Sequence, residues 1–149
     1  MGLSMFFTKK VYLPCVLTDE EKATAKETFE YFGVNIEAVD SINVKFRTMY
    51  NAYAIHNWLF TNVMEDGEGI YINLIDYDNF KALKDDIDVA LQNPTSPNNP
   101  IPKSFEYGQR HDDWYIADLK EAKNLCIDAM NELDGENMQI VEFSYWGGW

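Results

Sequence analysis

Three clusters of aromatic and polar residues contain most of the side chains in this sequence that could bind a ligand. They span residues 47–58, 108–115 and 143–149, and they include both arginines, both histidines and all four tryptophans. Aromatic rings offer flat faces for a planar group such as a purine base, amides and imidazoles donate hydrogen bonds, and guanidinium groups pair with phosphate. We therefore predict that the clusters form a shared binding surface. Its candidate residues are Arg47, Tyr50, Asn51, Tyr53, His56, Trp58, Arg110, Trp114, Tyr145 and Trp149.

A structural explanation of the same residues is also consistent with the sequence. The rings can fill the core, and both arginines can pair with acidic residues at the surface. His56 lies toward the apolar side of its predicted helix, where a histidine often donates to a backbone carbonyl rather than binding a ligand. Both explanations stay open at this point.

The spacing of reactive residues does not predict a catalytic or metal site. Neither HExxH nor a close cysteine pair occurs, and GxSxG, Walker and dinucleotide-binding motifs are missing from the sequence. Asp76-Tyr77-Asp78 begins like a calcium loop but lacks its glycine and closing glutamate. The adjacent Asp112 and Asp113 suit helix capping better than acid–base catalysis. We predict no catalytic residue, no metal and no cofactor, and a small enzyme of unknown chemistry stays an alternative.

Length and cysteine content indicate the class of protein. At 149 residues the chain can bury a core as one domain, residues 1–149. Cys15 and Cys126 lie far apart, which is typical of free thiols in a reducing cytoplasm. Lys9 and Lys10 interrupt the N-terminal apolar residues, so no signal peptide is expected, and no segment approaches the ~18 apolar residues of a membrane span. These features predict a soluble, cytoplasmic protein that does not bind membranes and is compatible with a homo-oligomer.

The chain is strongly acidic, with 25 Asp and Glu residues against 12 Lys and Arg residues and a net charge of −13. The acidic residues are spread along the chain rather than gathered in a tail. Because binding of DNA or RNA depends on neutralising phosphates with basic side chains, direct nucleic-acid binding is not expected. Three roles of the charge stay open: solubility, attraction to a basic protein, and mimicry of nucleic acid in the groove of a nuclease or a CRISPR-type effector.

The first part of the chain predicts a strand and a capped helix that must position the first cluster. Apolar residues alternate along Ser4–Leu13, and Pro14 ends this strand. Thr18 followed by Glu21 predicts a capping box at the start of a helix, and Gly33 supplies its stop. The expected apolar face of this helix consists of Ala25, Phe29 and Phe32.

The segment Ser41–Val63 predicts one long helix that carries the first cluster. Its apolar residues follow helical spacing, as at Ile42, Phe46, Met49 and Tyr53. The alternation over Ile42–Phe46 is also compatible with a strand. Glu65–Gly69 predicts a turn, and Ile70–Leu74 predicts a short extended segment.

The second half predicts a helix over Tyr77–Leu91, a loop over Asn93–Pro102, a helix over Asp113–Leu133 and a closing strand over Met138–Tyr145. The expected buried residues of the two helices are Phe80, Leu83, Ile87, Leu91, Tyr115, Leu119, Ala122, Cys126, Ala129 and Leu133. Strands at both ends with helices between them predict an α+β fold: a single compact domain in which three to four helices pack on a small antiparallel sheet that includes both chain ends.

Three motifs that overlap the clusters keep their order and spacing over nearly the full length. The matching residues are Ala52, Ile55, His56 and Trp58, then Gly108, Asp112, Trp114, Tyr115, Asp118 and Leu119, and finally Phe143, Tyr145 and Trp149. Through them the chain resembles an uncharacterised family of small proteins found mostly in bacteriophage genomes. It departs from that family over Thr48–Asn51 and at Tyr53, where the family shows Tyr-Trp-Arg-Lys and Asn.

The resemblance implies a phage origin and an accessory role, and it implies no known reaction. We therefore predict a non-catalytic binding protein that counteracts a host defence system in the cytoplasm of an infected bacterium. It would do so by sequestering a nucleotide-like signal or by occluding a host protein. If the family's Arg and Asn bind a ligand, this chain either uses Arg47, Tyr50 and Asn51 for the same contact or has lost that activity.

Overall fold

The computed structural model describes residues 2–13, 17–64, 71–105, 108–109, 112–134 and 141–148, with 104–105 and 108–109 described as backbone. The α-helices within these residues are α1 (Asp19–Tyr31), α2 (Tyr53–Asn62), α3 (Tyr77–Gln92) and α4 (Asp112–Leu133). The strands are β1 (Ser4–Tyr12), β2 (Ser41–Tyr50), β3 (Tyr71–Ile75), β4 (Ser104–Phe105), β5 (Gly108–Gln109) and β6 (Val141–Gly148). A short 3-10 helix, Ile36–Ala38, follows α1.

Four strands form one antiparallel sheet in the order β2-β1-β6-β3. The first and last strands are neighbours at its centre, where Ser4 pairs with Gly148 and Val11 with Val141. Strands β4 and β5 form a separate two-stranded ladder. The predicted α+β fold, with helices on a small antiparallel sheet that contains both terminal strands, is confirmed.

The pleat of the sheet divides its side chains between a covered inner face and an open outer face. Along β1, Met5 and Phe7 are fully buried on the inner face, while Phe6 between them lies on the outer face and is partly exposed. Strand β6 alternates in the same way, with Tyr145 inside and Trp146 outside. Consecutive residues of one aromatic cluster therefore lie on opposite sides of the sheet.

Helices α3 and α4 pack against each other and share one core with α2 and the inner face of the sheet. Helical spacing places one apolar stripe of each helix inward. The buried residues of the pair are Phe80, Leu83, Ile87, Ala90, Tyr115, Asp118, Leu119, Ala122, Leu125, Cys126, Ala129 and Leu133. Asp88 on α3 joins the two helices, because its carboxylate accepts hydrogen bonds from Lys84 at 2.9 Å and from Lys123 at 2.5 Å.

The prediction of one helix over Ser41–Val63 is wrong for its first half. Ser41–Tyr50 is strand β2, paired with β1 along its length, and the helix begins only at Tyr53. A β-bulge at Phe46 shifts the register, so that Phe46 contacts Phe143 and Arg47 also reaches the inner side. Residues three apart can then share one face of a strand, which imitates helical spacing. Asn51, with a φ of 56°, turns the chain from strand to helix.

Helix α1 forms as predicted, and its apolar face is only partly covered. Thr18 and Glu21 complete the capping box, and Gly33 ends the segment with a φ of 72°. None of the thirteen residues of α1, all of which the structure describes, is buried. Of its predicted apolar face, Ala25 and Phe29 are half-buried, whereas Phe32 is 70% exposed. The 3-10 helix Ile36–Ala38 contacts α1.

Two predicted elements extend beyond the described residues. The turn over Glu65–Gly69 and the first part of the closing strand, Met138–Ile140, lie outside them. The extended segment before α3 is present as β3, and Asn93–Pro102 contains no helix or strand. No helix within the described residues combines the length and the apolar character needed to cross a bilayer.

Candidate binding surfaces

The first and third aromatic clusters meet where the start of α2 contacts the end of β6. His56 Nδ1 and Tyr145 Oη lie 2.5 Å apart, and both side chains are buried. The imidazole also packs against Phe60, with ring centroids 4.6 Å apart. Two residues 89 positions apart in sequence therefore form one buried polar pair within an aromatic environment.

Burial keeps both members of this pair uncharged. It lowers the pKa of His56 from its ordinary 6.5 and raises the pKa of Tyr145 well above its ordinary 10.0, because a charged form would lose its hydration. The hydroxyl donates to Nδ1 when the imidazole carries its proton on Nε2. A neutral, enclosed pair suits the positioning of a helix against a sheet better than it suits proton transfer at the surface.

Gly147 is required where this pair packs against the last strand. A Cβ at this position would collide with the hydroxyl of Tyr145 and would lie 2.9 Å from His56 Cε1 and from His56 Nδ1. Any side chain would therefore push the imidazole away from the strand. This close approach explains why residue 147 is a glycine.

Asn51 has a conformational role at the turn before α2. Its backbone N–H donates to the Leu3 carbonyl at 2.8 Å, which fixes the turn to the start of β1. The Tyr53 hydroxyl donates to Asn51 Oδ1 over a long 3.5 Å. Tyr50, one residue earlier, is mostly exposed on the outer side of β2. Asn51 and Tyr53 therefore contact each other at the start of α2, and Tyr50 lies on the outer side of the sheet.

Arg47 and Trp58 are directed elsewhere. The Arg47 guanidinium donates to Asp128 Oδ2 of α4 at 2.6 Å, and its buried Nε has no hydrogen-bond partner among the described residues. The Trp58 indole N–H donates to Asp86 Oδ2 of α3 at 2.7 Å from a nearly buried position. Both side chains therefore connect the sheet or α2 to the helical layer, as the structural explanation of the sequence proposed.

The second cluster is only partly described. Helix α2 contacts both β4 and α4, so the described residues 104–105 approach the helix that carries part of the first cluster. Trp114 lies in the first turn of α4 and is 60% exposed. Arg110 and Trp149, two of the predicted binding residues, lie outside the described residues.

The described residues contain little that suits catalysis. Within them, no three His, Cys, Asp or Glu side chains are grouped closely enough to hold a metal ion. Cys126 is fully buried in α4, and burial raises its pKa to about 12, so its thiol stays protonated and enclosed.

A row of aromatic side chains lies on the outer face of the sheet. The sequence did not predict this row, although one of its residues, Trp146, belongs to the third cluster. Phe6 pairs with Trp146 across β1 and β6, and Trp146 pairs with Tyr71 across β6 and β3. The rings of Phe6 and Trp146 are stacked, with centroids 5.2 Å apart and planes 28° apart. The alternation of Phe6 with its buried neighbours was the available signal, but the pairing partner of β1 could not be read from it.

A second exposed aromatic surface lies on what we call the arm, residues 19–38, which consists of α1, the following turn and the 3-10 helix. At the end of α1, Tyr31 is 85% exposed and contacts Phe32 edge-to-face, with centroids 5.2 Å apart. A cleft of about 490 Å³ separates α1 from the 3-10 helix, with Leu17 and Ile36 in its lining. None of the residues 19–38, all of which the structure describes, belongs to the core of buried residues.

No protein-family model, no curated protein and no solved structure matches this chain. Function therefore has to be argued from the geometry of these surfaces.

Proposed function

We propose that this protein is a non-catalytic binding protein of a bacteriophage that occludes a protein of its host, with the arm as its docking element. The phage and host setting rests on the resemblance of the three sequence motifs. The docking role rests on one observation, the exposure of Tyr31 and Phe32 at the end of a helix in which no residue is fully buried.

The exposed helix supports docking because it lacks the usual source of helix stability. Most helices in proteins are stabilised by burying an apolar face, and isolated helices shorter than ~12–15 residues are marginal in water. Helix α1 has 13 residues and depends on its capping box instead. Exposed Tyr and Phe rings at its end offer the kind of side chain that contributes most to protein interfaces. A partner that covers them would supply the missing apolar contact.

Charge indicates the kind of partner. The arm and the two residues after it carry seven acidic residues, Asp19, Glu20, Glu21, Glu27, Glu30, Glu37 and Asp40, against two lysines, Lys22 and Lys26. A second copy of this acidic chain would be repelled. A basic surface around an apolar pocket would be attracted, with an association rate that falls as salt rises.

The buried groups support a non-catalytic role. The polar pair on α2 and β6 is neutral, and the Cys126 thiol is protonated inside α4. Neither is placed to reach a substrate at the surface. Binding through exposed side chains is therefore the activity that the described residues support best.

The test compares the protein with a Tyr31→Ser/Phe32→Ser variant, both immobilised and exposed to lysate of a bacterial host. The wild-type protein should retain one host protein at low salt and release it as salt rises, and the variant should not retain it. Tyr71→Ser, which removes a similarly exposed ring from the sheet, is the matched control and should bind like wild type. Equal recovery by the wild type and the arm variant would refute the arm as the docking element.

A separate variant distinguishes occlusion from mimicry of nucleic acid. Glu20→Gln/Glu27→Gln/Glu30→Gln lowers the charge of α1 while keeping both rings. If the arm docks through its rings, binding at moderate salt should weaken but persist. Complete loss of binding in this variant, with full binding by the ring variant, would favour an acidic mimic instead.

A further inference from the structure

We propose that the open outer face of the sheet holds a second binding site, which takes a mononucleotide with its base stacked on the row formed by Phe6, Trp146 and Tyr71. The site is independent of the arm. Phe6 lies six residues from Tyr12, the end of β1 that leads to the arm, which corresponds to roughly 20 Å along a strand.

The row has the shape of a stacking platform. Its three residues are neighbours across three adjacent strands, so their Cα atoms follow one another at roughly 4.8 Å. Trp146 is 39% exposed and Tyr71 is 51% exposed, although both lie on strands whose opposite face forms the core. Such rings bind bases through their faces, in a way that tolerates differences between bases.

Gly148 makes room for the indole of Trp146 on this platform. The ring of Trp146 packs so closely against Gly148 that a Cβ at this position would overlap its six-membered part. The indole also stacks with Phe6. These two contacts hold the ring in place, and Trp146 keeps 39% of its surface exposed.

The outer face also differs in charge from the rest of the molecule. Its residues on β1, β2 and β6 include Lys10 and Lys45 against a single acidic residue, Glu142, in a chain of net charge −13. Lys45 Nζ lies 5.9 Å from the centroid of Phe6, and Lys45 is in no ion pair within the described residues. Lys10 lies four residues after Phe6 on β1, and its Nζ is 3.8 Å from Glu142 Oε2. A base on the row would therefore place an attached phosphate near Lys45 first.

The size of this positive area selects the ligand. Two lysines can neutralise the charge of one phosphate group, whereas a nucleic-acid strand would extend from the site onto acidic surfaces and be repelled. An aromatic ring can stack on the base of a free nucleotide or on a base of a nucleic-acid strand, so stacking alone does not distinguish the two ligands. Charge favours the free nucleotide.

The experiment titrates the full chain with AMP, GMP, CMP and UMP and follows tryptophan fluorescence and heat of binding. At least one mononucleotide should bind saturably and quench fluorescence. Trp146→Ala should lower its affinity by about 5-fold to 150-fold, which corresponds to the ~1–3 kcal/mol that base stacking contributes. Trp146→Phe keeps a ring and should retain binding with less quenching, which separates loss of stacking from misfolding. Tyr31→Ala, which removes an exposed ring of the arm, is the matched control and should bind like wild type.

A second pair of variants tests the phosphate contact. Lys45→Ala should weaken AMP binding but not adenosine binding, while Lys81→Ala, an exposed lysine of α3, should change neither. Equal affinity of wild type and Trp146→Ala for every mononucleotide, or no saturable binding at millimolar concentrations, would overturn the proposal. Binding of an oligo(dA) strand without binding of AMP would also overturn it. The arm and the outer face are tested with different variants. A failure to bind mononucleotides would therefore leave the docking proposal unaffected.

Discussion

Removing the hydroxyl of Tyr145 should destabilise the protein through the histidine that it leaves behind. In Tyr145→Phe the ring keeps its place in the core, but His56 Nδ1 loses a partner at 2.5 Å. An unsatisfied buried polar group costs about 1–3 kcal/mol, and the free energy of unfolding should fall by that amount. For a domain of this size the corresponding fall in melting temperature is roughly 2–12 °C. Chemical denaturation followed by circular dichroism measures the free energy directly.

A double-mutant cycle identifies the hydrogen bond as the cause. His56→Leu removes the other partner, and the double variant His56→Leu/Tyr145→Phe removes both polar groups. Because the double variant removes both partners of this hydrogen bond, it should lose much less stability than the sum of the single variants. Additive losses would refute the reasoning, since they would show that the two side chains stabilise the fold independently.

The same pair predicts a dependence of stability on pH. Burial lowers the pKa of His56 below its ordinary 6.5, so the unfolded chain binds a proton more readily than the folded protein. The free energy of unfolding should therefore fall as pH falls through 6.5 toward the lower pKa of the folded state, and be fully regained above 6.5. The difference between wild type and His56→Leu isolates this contribution from that of the carboxylates. A difference that stays constant between pH 7.5 and pH 5.5 would contradict it.

Three further variants test individual contacts. Gly147→Ala should destabilise the protein by about 1–3 kcal/mol in denaturant titrations, because its methyl group meets the buried histidine–tyrosine pair, whereas Gly148→Ala should cost less because the exposed Trp146 indole can move aside. Cys126 should react with a thiol reagent in absorbance assays only after unfolding, since burial raises its pKa to about 12. Thr18→Ala should lower helical circular dichroism by loosening the arm, at a local cost of about 1 kcal/mol, without moving the main unfolding transition.

Local chemistry explains the parts of the fold that could be predicted. Some features depend only on residues a few positions apart and can therefore be predicted from the sequence. They are the capping box of α1, the proline that follows β1, and the helical spacing of the buried residues in α3 and α4. The strand Ser41–Tyr50 could not be predicted with the same ease. Its bulge at Phe46 lets residues three apart share a face, and only pairing with β1 distinguishes this pattern from a helix.

The roles of the candidate site residues depend on contacts between distant parts of the chain, which cannot be predicted from the sequence. Arg47 was chosen as a cation for a ligand, yet it pairs with Asp128, which lies 81 residues away. His56 and Tyr145 were both chosen and do meet, across 89 residues. Residue type was enough to choose all three as candidate binding residues. Whether such a side chain has a hydrogen-bond partner inside the protein depends on how distant elements pack.

The pleat of β6 explains why one aromatic cluster cannot make one pocket. Tyr145 and Trp146 are adjacent in sequence, but a strand directs successive side chains to opposite faces, so one belongs to the core and the other to the open face. The ring that reaches solvent is then joined by Phe6 and Tyr71, which come from different strands and different parts of the chain. Binding residues in a sheet protein should therefore be grouped by face and register. Grouped in that way, Phe6, Trp146 and Tyr71 share the outer face with Lys10 and Lys45, and the histidine–tyrosine pair stabilises the fold on the other side.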